Sequence, residues 1–245
     1  MRLKLPPSIG LSALALYCLA AAAPQGNDSQ NAPPEVKMSR PAENGAFQWN
    51  TLVSYSIDVA DSEDGKSEFN EINANEVFLK IAYLPDASQM EKYAVEVSKA
   101  DDEPLRRMSA ANCFTCHTAR TKLIGPSFDL IAKRYPDNEA SVEFLAKKVL
   151  TGAAGTWGNV QMPPHPDLKI EQAREMVAWI LKNNADRDRS FAVGLEGAFR
   201  TREKPDNASG TGIYVLTASY TDHGPKDTPQ RGKQGQHTIV LKQVR

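Results

Sequence analysis

The chain has 245 residues, 24% of them charged and 41% hydrophobic, with a formal net charge of −1. Such a composition fits a folded chain of one to three domains and excludes an extended low-complexity polymer. A balance this close to neutral supplies no overall basic excess, and no nucleic-acid partner is expected.

The chain opens with Met1-Arg2-Leu3-Lys4, a positive start, followed by "SIGLSALALYCLAAAAP", an apolar run ending in small residues. That layout predicts a secretory signal peptide over residues 1–23, cleaved within Ala20 to Ala23. The apolar stretch falls short of the roughly 20 residues a spanning helix needs. The expected location is therefore periplasmic or otherwise exported. Cys18 leaves with the peptide, or it is the lipidated first residue of a lipoprotein; bulky Tyr17 favours cleavage. A membrane is a partner only if Cys18 is lipidated. Residues 24–33 read as a polar, flexible leader.

Residues 34–103 carry strand patterns. "TLVSYSIDVAD" puts Val53, Tyr55, Ile57 and Val59 on one face, and "NEVFLKIAYLPD" does the same with Val77, Leu79, Ile81 and Tyr83. "PEVKMSRP" and "YAVEVSK" are weaker strand candidates. Short alternating strands between turn residues predict a β-sandwich. "DSEDG" (Asp61, Glu63, Asp64) could hold Ca2+ in the manner of exported sandwiches, but an acidic turn around Gly65 explains it without metal and is preferred.

Next comes "NCFTCHTARTKLIGPSF", Asn112 to Phe128. In an exported chain a bare Cys-x-x-Cys closes to a disulfide. A structural zinc site needs four ligands, and Cys113, Cys116 and His117 give three. A thioredoxin-like motif needs a βαβ context that is missing. The remaining reading is covalent attachment of a haem, for which Cys-x-x-Cys-His is the signature. Met162 is the methionine best placed to serve as a sixth ligand. It lies 45 residues beyond His117, in a Pro-rich loop with Pro163 and Pro164 to stiffen it. Met108 is too close to the cysteines, and Met176 sits on the apolar stripe of a helix. Ser127 is placed to cap "FDLIAKRY", Asp137 or Asn138 to cap "EASVEFLAKKVL", and Gly152 to end the latter helix. Ile170, Ala173, Val177, Ile180 and Leu181 share one face of a closing helix.

In order along the chain, "CFTCH", "IGPSF", "AKRY", "GTWGNVQMPP" and "EQAREMVAWILK" resemble the small single-haem class I cytochromes c of bacteria. The resemblance covers residues 104–185, about a third of the chain. It implies one covalent haem c on Cys113 and Cys116, axially ligated by His117 and Met162. It further implies that the Pro126 carbonyl accepts from the His117 ring, that Gly125 and Pro163 line the haem, and that Trp157 covers its edge and donates toward a propionate.

Strand patterns return in residues 186–245, with "GLEGAFRTRE", "GTGIYVLTASYTDHG" and "QHTIVLK". The second resembles a strand of bacterial immunoglobulin-like and polycystic-kidney-disease-like modules. The expected fold is thus multidomain, α and β: an all-α class I cytochrome c inserted in, or flanked by, an immunoglobulin-like β-sandwich. Residues 186–245 are its second part or a separate small β unit. Insertion is cheap where the ends of the insert meet. Charge separates the parts. Residues 35–103 carry 6 Lys and Arg against 15 Asp and Glu, whereas residues 105–184 carry 11 against 7.

The expected function is electron transfer without catalysis, with a redox partner protein such as a periplasmic dehydrogenase or a terminal oxidase. One alternative is an electron-accepting subunit of a quinone-dependent sugar dehydrogenase, since such modules resemble regions appended to those enzymes. Another is a surface- or carbohydrate-binding module with an incidental haem.

Overall fold

The computed structural model describes residues 31–98, 102–206, 210–226 and 232–244. The expected signal peptide, Cys18 and most of the leader lie outside the described residues. Five strands come first: β1 (Glu35–Arg40), β2 (Ala46–Phe47), β3 (Leu52–Asp61), β4 (Gly65–Lys66) and β5 (Phe78–Leu84). After α1 (Met90–Ser98), the central segment holds α2 (Glu103–Ala110), α3 (Phe128–Arg134), α4 (Glu139–Thr151), β6 (Ala153–Gly155), β7 (Gly158–Met162) and α5 (Ile170–Asn184). Four strands close the chain: β8 (Arg189–Val193), β9 (Glu196–Arg200), β10 (Ile213–Thr221) and β11 (Gln234–Gln243).

One sheet contains β1, β3, β4 and β9, and another has the order β2-β11-β10-β5-β8. Both draw strands from each side of the central segment. β3 pairs antiparallel with β9, placing Tyr55 opposite Gly197, and β5 pairs antiparallel with both β8 and β10. The alternating residues fill a single core between the sheets. It contains Tyr55, Ile57 and Val59 of β3, Leu79, Ile81 and Tyr83 of β5, and Leu216 and Tyr220 of β10.

The central strands are buried on their second face as well. Ala82, Leu84, Ile213 and Val215 pack on Tyr93 and Val97 of α1, while Phe78 packs with Phe191 against the central helices. The segment "YAVEVSK", expected as a strand, is therefore helical up to Ser98. Tyr93 and Val97 are buried whereas Val95 between them is 50% exposed, so burial follows the i, i+4 spacing of a helix and not alternation. Asp86 starts the turn before it, its side chain accepting from the Ser88 N–H at 2.9 Å.

In the central segment α2 and α4 both pack against α5. Asn138 caps α4, accepting from the Ser141 N–H at 2.9 Å. Ser127 stands before α3 without capping its backbone; its hydroxyl donates to Asp129 Oδ1 at 2.6 Å instead. The segment also departs from the all-α expectation. β6 and β7 form an antiparallel hairpin with Ala153 opposite Met162, so Met162 ends a strand and does not sit in an irregular loop. Gly152 makes the turn into it at φ 79°, where a side chain would be strained and would come within 2.8 Å of the Met162 carbonyl.

Two polar clusters tie the strands before the helical segment to those after it. Asp61 accepts from the N–H groups of Glu63 and Asp64, both at 2.9 Å, closing the acidic turn. Asp64 in turn accepts from the Tyr220 hydroxyl at 2.7 Å and from His223. At the entry to the helical segment, Asp102 pairs with Lys80 of β5 and accepts from Ser219 and Gln234 of β10 and β11.

Candidate haem site

The CFTCH residues wind into a single helical turn. Asn112 in the left-handed conformation leads into a short 3-10 turn at Cys113–Thr115, and Cys116 and His117 donate their N–H groups to the Cys113 carbonyl at 3.2 and 3.0 Å. Side chains at i, i+3 and i+4 share a face of such a turn, and here those are Cys113, Cys116 and His117. All three line one cleft. The two cysteines form no disulfide with each other despite their spacing. Burial pushes the Cys113 thiol up to about 11.

The loop returns so that Gly125 donates its N–H to the Cys116 carbonyl at 2.9 Å, which lays "GPSF" against the imidazole. His117 Nδ1 lies 2.7 Å from the Pro126 carbonyl. A carbonyl only accepts, so Nδ1 carries the ring proton and Nε2 keeps its lone pair. Burial lowers the pKa of His117 more than the Pro126 contact raises it, which favours the neutral ring. A side chain at Gly125 would overlap the His117 ring. Phe128 stacks on that ring, with centroids 5.5 Å apart and planes 16° apart.

The facing wall comes from the hairpin and from α4 and α5. Met162 and Pro163 line the same cleft as His117, as does Trp157, over whose ring the Arg134 guanidinium sits at 4.9 Å. Met108 and Met176 also reach the cleft, but both are buried in the core behind it. His165 is absent from the lining; its N–H bonds the Val149 carbonyl at 3.0 Å. Every site residue expected from sequence is thus brought to one cleft. Sequence reading missed Phe128, which lines the cleft, and Phe114 and Phe191, which pack behind it, although Phe114 stands inside the motif itself.

The lining fits a flat apolar group. Ile124, Phe144 and Val160 are 50%, 48% and 63% exposed although they line the cleft. Two thiols, an imidazole with a free Nε2 and a thioether supply the donor set such a group needs.

A cytochrome c family model matches residues 106–184. Over 70 residues the chain is 37% identical to cytochrome c-552 of Nitrosomonas europaea, covering 29% of this chain and 68% of that protein. It is 36% identical to cytochrome c-551 of Azotobacter vinelandii over 83% of that protein and 28% of this chain. This chain belongs to the cytochrome c family. Cytochrome c2 of Rubrivivax gelatinosus is 33% identical, with 95% of its length matched by 32% of this chain. The crystal structure of Nitrosomonas europaea cytochrome c552 is 33% identical and superposes with a TM-score of 0.30, over 33% of this chain and 96% of that one. Cytochromes c are electron carriers, and the cofactor is a covalently attached haem c.

Proposed function

We propose that this cytochrome c is an exported carrier of single electrons. Cys113 and Cys116 are the thioether attachment points, and His117 and Met162 are the axial ligands. Gly125, Pro126, Trp157 and Pro163 line the ring. The observation that carries this reading is the convergence of Cys113, Cys116, His117 and Met162 on one cleft, with the tautomer of His117 fixed by Pro126.

Bound there, held by Cys113, Cys116, His117 and Met162, a haem would supply an Fe(III)/Fe(II) couple. The residues of the chain do the rest. The Pro126 carbonyl holds the imidazole in the tautomer that presents Nε2. The hairpin and Pro163-Pro164 hold the Met162 thioether. Apolar side chains keep water from the site, which favours the less charged, reduced state. A pyridine haemochrome spectrum of the purified protein is expected to show haem joined through two thioethers. Met162→Ala should remove the weak long-wavelength charge-transfer band of the ferric protein and lower the midpoint potential. An unchanged ferric spectrum would falsify the assignment of Met162.

The β segments 34–103 and 186–245 form one immunoglobulin-like sandwich into which residues 104–185 are inserted. Support comes from sheets that mix strands of both flanks and from the packing of α2 on α5, which brings the ends of the insert together. The partner is a redox protein of the exported space, with a quinone-dependent sugar dehydrogenase as one donor. Mixing such a reduced enzyme with the ferric protein should raise the α-band of Fe(II) haem; no band would exclude that donor.

A further inference from the structure

One layer of side chains separates the haem cleft from the β unit. Met108, Phe128, Met176 and Ile180 line the cleft on one side, and on the other they share a cluster with Phe78 of β5 and Phe191 of β8. Alternation explains how the strands reach them. On β8, Ala192 packs against the sandwich core, while Phe191 and Val193 face the helices. Phe191 is 7% exposed, and its ring stacks on Phe128 at 6.0 Å and 21°. Phe128 is the ring that stacks on His117. Phe114, between the two cysteines, meets Phe191 edge-on at 6.0 Å and Phe78 at 6.3 Å. The β unit therefore touches the two groups that orient the imidazole and the attachment loop.

We propose that Phe191 is a positioning residue for the haem, fixing the plane of the His117 ring through Phe128 and the attachment turn through Phe114. The β unit is then part of the proximal wall of the redox centre and not only an appended docking module. Aromatic pairs in these geometries attract one another beyond what their buried area supplies. A ring held between Phe128 and Phe114 also keeps water from the back of the imidazole. Water there would favour the more charged ferric state. The inference rests on His117 being the axial ligand, as read above.

The test uses the full-length, haem-loaded protein. Phe191→Leu keeps bulk and removes the stacked ring; Phe191→Ala removes both. Phe199→Leu is the control, because Phe199 packs on the sandwich core beside Tyr214 and is not a member of the cluster that joins Phe191 to Phe128. Two quantities are read: the midpoint potential, and the spread of the haem methyl resonances in the ferric proton spectrum, which follows the orientation of the axial ligands. Phe191→Leu should lower the potential and alter the methyl pattern, Phe191→Ala should do so more, and Phe199→Leu should change neither. Equal shifts in the control, or an unmoved potential and methyl pattern in both Phe191 variants, would overturn the proposal while leaving the axial assignment standing. Wild-type protein lacking the methionine charge-transfer band would fail the Met162 assignment alone, since the stack acts through His117.

Discussion

At position 125 even one added carbon would overlap the His117 ring. Over-packing of this kind costs about 1–3 kcal/mol when neighbours cannot move. The imidazole is held by Pro126 and Phe128, so the strain falls on the ring itself. Gly125→Ala is accordingly expected to lower stability by about that amount and to alter the ferric spectrum, checked by thermal melting and by absorbance. His223 shows a second residue-scale effect. Burial lowers its pKa, but Asp64 at 3.0 Å and Glu76 at 3.2 Å outweigh that and raise it. Asp64 is lowered, because the hydrogen bonds of Tyr220 and His223 outweigh its own burial. A raised folded-state pKa gives stability that is complete below the unfolded value of about 6.5 and lost as pH rises through the folded value. His223→Ala should therefore flatten the fall in unfolding free energy above about pH 6.5, by less than about 1 kcal/mol because the ring is largely exposed. Urea titrations across that range would show it, and identical slopes would remove His223 from the account. The chemistry-bearing residues were legible because the attachment motif is local. Phe191 was not, since nothing in its own neighbourhood of sequence marks it as the neighbour of a haem site.

Among the elements, β5 carries the most. One face fills the sandwich core, and the other holds Phe78 against the helices and Lys80 against Asp102. The Asp102 side chain is 1% exposed and the Lys80 side chain 14%. Removing one partner of such a buried pair costs about 3–5 kcal/mol, because the other charge is left uncompensated. Lys80→Met should cost that much in chemical denaturation, and the double variant with Asp102→Asn should recover part of it. A fully additive loss would show that the two side chains do not interact. The inner faces of β3, β5 and β10 were legible as alternation. Their outer faces were not, because a strand buried on both sides reads as one apolar run whose second partner the pattern does not name. The same ambiguity made Tyr93, Val95 and Val97 look like a strand, until the packing of α1 on Leu84 and Val215 selected the helical spacing.

At the scale of the molecule, the cluster around Phe78, Phe128 and Phe191 joins the haem module to the β unit through apolar contact. Two parts sharing a buried core melt together. Absorbance of the haem and circular dichroism of the sheets should give coincident thermal midpoints, and two separated transitions would show that the modules fold independently. The module from 105 to 184 carries an excess of Lys and Arg, whereas residues 35–103 are strongly acidic. Charge of this kind acts chiefly on the rate of encounter. Electron transfer to an acidic partner is therefore expected to slow as salt is raised, measured by stopped-flow absorbance.

The sequence by itself determined the cofactor and the attachment motif proposed to hold it, because covalent attachment needs particular side chains a few positions apart, and short spacing survives in any fold that keeps the helical turn. It also determined which face of β3, β5 and β10 points inward, since alternation is a property of the single strand. Only the tertiary structure decided what lies behind the proximal imidazole. Phe128 and Phe191 are 63 positions apart, and whether such residues stack depends on how helices and sheet pack, a long-range outcome that no local periodicity encodes.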